Sequence, residues 1–198
     1  MYAYIKGEIA DKAKNYVIIE AGGIGYKILM STTSIDKLPN IGAIQKIYTH
    51  YHVTEDNISL YGFIENEELR MFELLLSVSG IGAKSAIQIL SNITPASFAL
   101  AVITNDISQM TKLPGVGKKT AARIILDLQD KLKTEETIMP DNATKKVYNK
   151  NDNAKEASAA LQVLGYTTKE IEKVLENIDL KNLSIEEIIK KALSYLGR

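Results

Sequence analysis

The sequence predicts a multi-domain α+β protein, a small β-barrel followed by two separate groups of helices. Three observations predict it. Residues 1–63 alternate with the two-residue period of strands, the period lengthens to that of a helix from Glu65, and one Gly-hydrophobic-Gly segment occurs twice, at Gly80 and at Gly115. Together they set domain bounds at 1–63, 64–133, 134–153 and 154–198.

Five strands are expected in the first domain, around Tyr2 to Lys6, Tyr16 to Ile19, Tyr26 to Leu29, Ile44 to Val53 and Ile58 to Phe63. Turn residues separate them, among them Gly22-Gly23 and Pro39-Asn40-Ile41-Gly42, and Ser34 to Leu38 fits one helical turn. Five strands in some 60 residues suit an OB-like barrel.

Leu69, Phe72, Leu75 and Leu76 then follow helical spacing. Helices are expected over about 66–78, 83–91, 95–103, 106–112 and 118–131, with Asp106 and Gln109 as a capping box. Residues 134–153 turn to Thr, Glu, Asn, Asp and Lys around Pro140, too polar and aperiodic to offset the entropy of ordering them, and are expected to form a flexible linker. Three helices close the chain, roughly 154–164, 168–178 and 184–196. Thr167 with Glu170 and Ser184 with Glu187 cap the last two, and Gly165 and Gly197 stand at C-terminal cap positions.

Composition narrows the chemistry. The chain has 24 basic and 24 acidic residues among 198, and each third is close to neutral, so bulk attraction to nucleic acid is excluded and any DNA contact must be local. Cysteine is absent, which removes disulfides, thiolate metal sites, iron-sulfur clusters and a thiol nucleophile and fits a cytoplasmic setting. No apolar run approaches the ~20 residues of a membrane span, and the N-terminus has no secretory pattern, so no membrane role is expected.

The repeat is the strongest signal. Val78-Ser79-Gly80-Ile81-Gly82-Ala83-Lys84-Ser85-Ala86 matches Leu113-Pro114-Gly115-Val116-Gly117-Lys118-Lys119-Thr120-Ala121 position by position. Glycines permit a tight bend and let a ligand reach the backbone, and the helix that follows aims free N–H groups and its positive dipole end outward. A phosphate suits that place. Ile81 and Val116 are expected to point inward, Ala86 and Ala121 to allow close helix packing, and the lysines to add charge at the rim. Backbone N–H groups read phosphates and not base edges, so binding is expected to be independent of sequence. A nucleotide-binding P-loop is not formed, because Lys112 stands where it needs Gly and Lys118-Lys119 where it needs Lys-Thr.

Paired hairpins of this form resemble the helix-hairpin-helix family. Joined to a barrel, a linker and a three-helix tail, they resemble the RuvA family over essentially the whole chain, as do Tyr4-Ile5-Lys6-Gly7 and the segment from Glu55-Asp56 through Leu60-Tyr61-Gly62-Phe63. The resemblance implies a non-catalytic subunit, without cofactor, that binds four-way (Holliday) DNA junctions in recombination, DNA repair and the SOS response to DNA damage. It implies a homotetramer, or an octamer of two, that recruits a RuvB-type hexameric ATPase for branch migration and leaves room for a RuvC-type resolvase. It places DNA contacts at Gly80, Gly82, Lys84, Gly115, Gly117, Lys118, Lys119 and Arg123. It makes Glu55 and Asp56 an acidic pin at the junction centre, and assigns motor docking to Leu161, Leu164, Tyr166 and Leu193.

Other readings compete. Glu55 and Asp56 alone fit a solvated turn, and Leu161, Leu164 and Tyr166 fit equally the core of the tail domain. His50 and His52 share a strand face and, with Glu55, offer metal-ligand chemistry, but a structural role is expected and no metal. Seven of ten tyrosines precede residue 62, and packing is favoured over base stacking for them. A helix-hairpin-helix glycosylase is the enzyme alternative, with only Asp127 and Asp130 as nearby acids. A generic duplex-binding subunit is the other.

Overall fold

The computed structural model describes residues 1–137, 152–180 and 183–197. Five strands, β1 (Tyr4–Lys12), β2 (Tyr16–Ala21), β3 (Ile24–Leu29), β4 (Ile44–Val53) and β5 (Ile58–Phe63), close into a barrel in the order β1-β2-β3-β5-β4, with β4 returning to β1. All pairs are antiparallel except β3 with β5. The barrel closes between β3 and β5 through a single paired position, Leu29 with Tyr61, whereas the other strand pairs run over four to six positions.

Alternation puts Ile5, Ile9, Val17, Ile19, Ile28 and Ile47 inside the barrel, with Met30 and with Ile35 and Leu38 from the region of α1 (Thr32–Lys37). Helix α1 starts where Ser31 accepts a hydrogen bond from the Ser34 N–H at 3.1 Å. Helix α2 (Asn66–Leu76) lies on β4 and β5 through Phe72, whose ring is 5.0 Å from Phe63 and 5.2 Å from both Tyr61 and His50. Helix α3 (Ala83–Leu90) packs on α2. Residues 1–76 and 81–92 form one compact unit.

Residues 77–80 and 93–198 form the other. It holds α4 (Pro95–Ile103), α5 (Ile107–Met110), α6 (Lys118–Thr137), α7 (Asp152–Val163), α8 (Thr168–Leu175) and α9 (Ile185–Leu196). Helix α4, Pro-Ala-Ser-Phe-Ala-Leu-Ala-Val-Ile, carries no charge and has no exposed residue. A helix apolar on every face needs cover all round, and α5, α6, α7 and α9 supply it. Thr94 caps its start by accepting from the Ser97 N–H.

Most caps stand where the sequence places them. Thr167–Glu170 and Ser184–Glu187 form full capping boxes, the box expected at Asp106 and Gln109 shows one half, Asp106 accepting from the Gln109 N–H at 2.8 Å, and Gly165 takes the left-handed φ of 82°. Gly197 ends α9 with φ at −83°, in ordinary backbone space. Helix α6 runs to Thr137 rather than to about 131, because Lys131 to Thr137 supply Leu, Lys and Glu and nothing that breaks a helix. The rest of the expected linker, up to residue 151, lies outside the described residues. Among those described, no single helix is long and apolar enough to cross a membrane.

Candidate nucleic-acid interface

Each repeated segment forms a sharp turn between two helices. In the first, Gly80 takes φ of 90° and Gly82 becomes the N-cap of α3 at φ −94°, ψ 169°. In the second, Gly115 takes φ of 75° and α6 starts just after Gly117. Helical bonding opens identically, from the Ala86 N–H to the Gly82 carbonyl and from the Ala121 N–H to the Gly117 carbonyl, both at 2.9 Å.

The hydrophobic residues between the glycines are plugs. Ile81 and Val116 are buried, as are Ala86 and Ala121 on the inner faces of α3 and α6. Lys84, Lys118, Lys119 and Arg123 are exposed. A Cβ added at Gly80, Gly82, Gly115 or Gly117 would meet no atom of the described residues within 4 Å, which leaves the outer surface of both turns open among them. At Gly82 no side chain caps the first turn of α3. Each turn therefore offers free N–H groups, a positive helix end and nearby cations, the requirements of an anion site.

On the barrel, Glu55 and Asp56 occupy the tip of the β4–β5 hairpin, closed by the Thr54 N–H on the Asn57 carbonyl at 2.9 Å. Residues 53–58 are all exposed, so the tip is fully in solvent. His50 and His52 lie on one strand face with rings 6.0 Å apart, but His50 Nδ1 pairs with Glu73 Oε1 of α2 at 3.2 Å and not with Glu55. No cluster of three metal-binding side chains occurs among the described residues. Lys46 Nζ sits over the Tyr4 and Tyr48 rings at 4.6 and 4.2 Å, while Tyr2 meets Tyr26 and Tyr51 edge-on, so these tyrosines pack against barrel neighbours.

In the C-terminal module, Leu161 of α7 and, in the turn after it, Leu164 and Tyr166 are buried, and Leu193 of α9 is half-buried. The same module has a cleft of about 300 Å³ lined by Asn177, Ile178, Asp179, Lys191, Ser194 and Tyr195. Sequence reading does not find it, and the half-exposed Tyr195 is its one local signal.

Comparison with known proteins covers nearly the whole chain. Residues 1–62 match the family described as RuvA N terminal domain, 72–130 the SAM-like Helix-hairpin-helix tandem, and 152–197 the RuvA, C-terminal domain. A protein of Acetivibrio thermocellus named Holliday junction branch migration complex subunit RuvA is 45% identical over 201 residues, covering 100% of both chains. Proteins of the same name from Ruminiclostridium cellulolyticum and Clostridium perfringens are also 45% identical, over 199 and 202 residues, with 99% and 100% of this chain and 100% of each relative covered.

Proposed function

The chain belongs to the RuvA family, and from that premise we propose that it binds four-way DNA junctions by structure, independently of sequence, as a non-catalytic subunit of an ATP-driven branch-migration complex. One observation carries the reading. Each of two matched hairpins has a left-handed glycine followed, two residues on, by a glycine with open space above it and a helix N-terminus behind it. A phosphate fits such a place, and two of them on one chain grip a duplex arm through its backbone.

Gly80, Gly82, Gly115 and Gly117 then give the backbone contacts, and Lys84, Lys118, Lys119 and Arg123 the rim charge. Glu55 and Asp56 act as a pin that repels phosphates at the junction centre. Four arms call for four copies, a tetramer on one face of the junction or two tetramers clasping it. The C-terminal module recruits a hexameric ATPase of the RuvB type, and an uncovered junction face admits a RuvC-type resolvase. A chain with this task and no cysteine works in the cytoplasm. The glycosylase and generic duplex readings are set aside, because the barrel and the tail match RuvA domains in addition to the hairpins.

The test is a mobility-shift titration of a synthetic four-way junction against linear duplex of equal length, at several salt concentrations. Junction binding should be tighter than duplex binding by about a hundredfold or more, roughly 3 kcal/mol, at every salt concentration, although both weaken as salt rises. Equal affinities would overturn the reading.

A further inference from the structure

The hairpin that carries Glu55 and Asp56 has a second chemical character just behind its tip. Along one side of it, directly opposed residues run Thr49 with Gly62, Tyr51 with Leu60 and Val53 with Ile58. Thr49 and Gly62 are buried in the barrel wall, and Tyr51 and Leu60 are half-buried. Val53 and Ile58 are 56% and 64% exposed. The core-facing rank of the two strands thus outruns the core. Tyr2, itself half-exposed, lies edge-on to Tyr51 with ring centres 5.8 Å apart, which broadens this side into a ledge of Tyr2, Tyr51, Leu60, Val53 and Ile58.

We propose that this ledge seats unpaired bases at the crossover of a four-way junction, an inference that rests on the function proposed above. Charge selects the occupant. A DNA strand that reaches the tip is repelled at its phosphates by Glu55 and Asp56, so it presents its uncharged base rings to the surface behind them. Apolar side chains inserted at base steps and aromatic rings beneath unstacked bases are the ordinary means by which proteins hold opened nucleic acid. A second copy meeting the ledge through a two-fold contact would bring two more carboxylates into the same interface. A base brings none. The pin then keeps backbones apart, and the ledge holds the bases that this separation frees.

The experiment uses the full chain and synthetic junctions with 5-iododeoxyuridine placed either at the crossover or in mid-arm, irradiated and mapped by mass spectrometry. Crossover label should cross-link to Tyr51 or Tyr2, and mid-arm label should not. In the double variant Val53→Thr with Ile58→Thr, which keeps the β-branched shape that strands favour, the cross-link should fall to about half or less. Junction affinity should change by less than about threefold, because the hairpins supply it. Crossover label that cross-links elsewhere or not at all, or an unchanged yield in the variant, overturns the ledge. A lower oligomeric mass of the variant in sedimentation also overturns it, by assigning these residues to contacts between copies. Mobility shifts on the same samples separate the two readings: loss of junction preference in the parent chain sinks the proposed function, whereas junction preference without the cross-link sinks the ledge alone.

Discussion

Gly80 holds φ at +90° while Gly82, two residues on, holds φ at −94°, so the two glycines of the first hairpin are glycine for different reasons. The first bends the chain through a region that side chains disfavour. The second has ordinary backbone geometry, and no described residue stands where its Cβ would go. On the proposed function, that space is where the phosphate sits.

The difference separates folding from binding. Gly82→Thr and Gly117→Thr should leave Tm within a few degrees of the parent, since Thr and Gly serve comparably as N-caps, and should weaken junction binding by about tenfold or more, roughly 1.4 kcal/mol. Gly80→Ala and Gly115→Ala should instead cost about 1–2 kcal/mol of stability each. Thermal melts beside mobility shifts check both, and full affinity in the Thr variants would remove the phosphate site.

Lys119 is exposed at the start of α6. If it faces one phosphate, Lys119→Ala should weaken binding alike for all DNA sequences and reduce the slope of log affinity against log salt by about one. Fluorescence titrations at several salt concentrations measure the slope, and an unchanged slope would place Lys119 away from the backbone.

Charge at the hairpin tip should govern selectivity more than affinity. Two unit charges ~8 Å apart interact by roughly 2 kcal/mol at an effective dielectric of ~20, and by less in salt. Glu55→Gln with Asp56→Asn keeps the turn and removes the charge, so duplex binding should strengthen relative to junction binding. The ratio of the two dissociation constants at fixed salt decides it. A ratio that stays put makes the tip an ordinary solvated turn.

Motor docking is best probed at Leu193. Leu161, Leu164 and Tyr166 are buried, so truncating Leu164 to Ala should cost about 2–5 kcal/mol, and a loss of motor stimulation there would report damaged folding. Half-buried Leu193 allows a cleaner test. Leu193→Ser should retain junction binding and lose stimulation of a RuvB-type ATPase. ATPase and branch-migration assays check it, and full stimulation would move the docking surface elsewhere.

Burial also predicts a pH effect. Glu68 is held above the ordinary carboxylate range by desolvation, which Lys37 at 4.0 Å and the Ser34 hydroxyl at 3.3 Å only partly oppose. The folded chain therefore keeps this proton to higher pH than the unfolded chain. The stabilisation is fully present below the ordinary carboxylate range and is lost as pH rises through the raised value. Glu68→Gln should raise Tm at neutral pH, and its advantage should vanish in melts near about pH 4. A gap constant across that range would assign it to another cause.

What the sequence made legible is what composition and period decide locally. Gly80 and Gly115, the plugs Ile81 and Val116, the five strands and the capping boxes at Thr167 and Ser184 all follow from short-range rules. Burial by distant elements does not. Leu161, Leu164 and Tyr166 read equally as surface or core, because the choice depends on which helices come to lie beside α7. Val53 and Ile58 obey the same limit: a period of two says that they face inward with Tyr51 and Leu60, but only the closed barrel shows where the interior stops. Sequence proximity sets His50 beside Glu55, whereas its partner Glu73 is supplied by a helix 23 residues away.

The uncharged helix α4 sets a timetable during synthesis. It is complete at Ile103, while α7, part of its cover, begins only at Asp152. At a ribosomal rate of ~5–20 residues per second, α4 waits roughly 2–10 s for that cover. Through that interval the nascent chain displays an apolar surface that the finished protein hides, so its yield in the cell should depend on holdase capacity more than its final stability suggests.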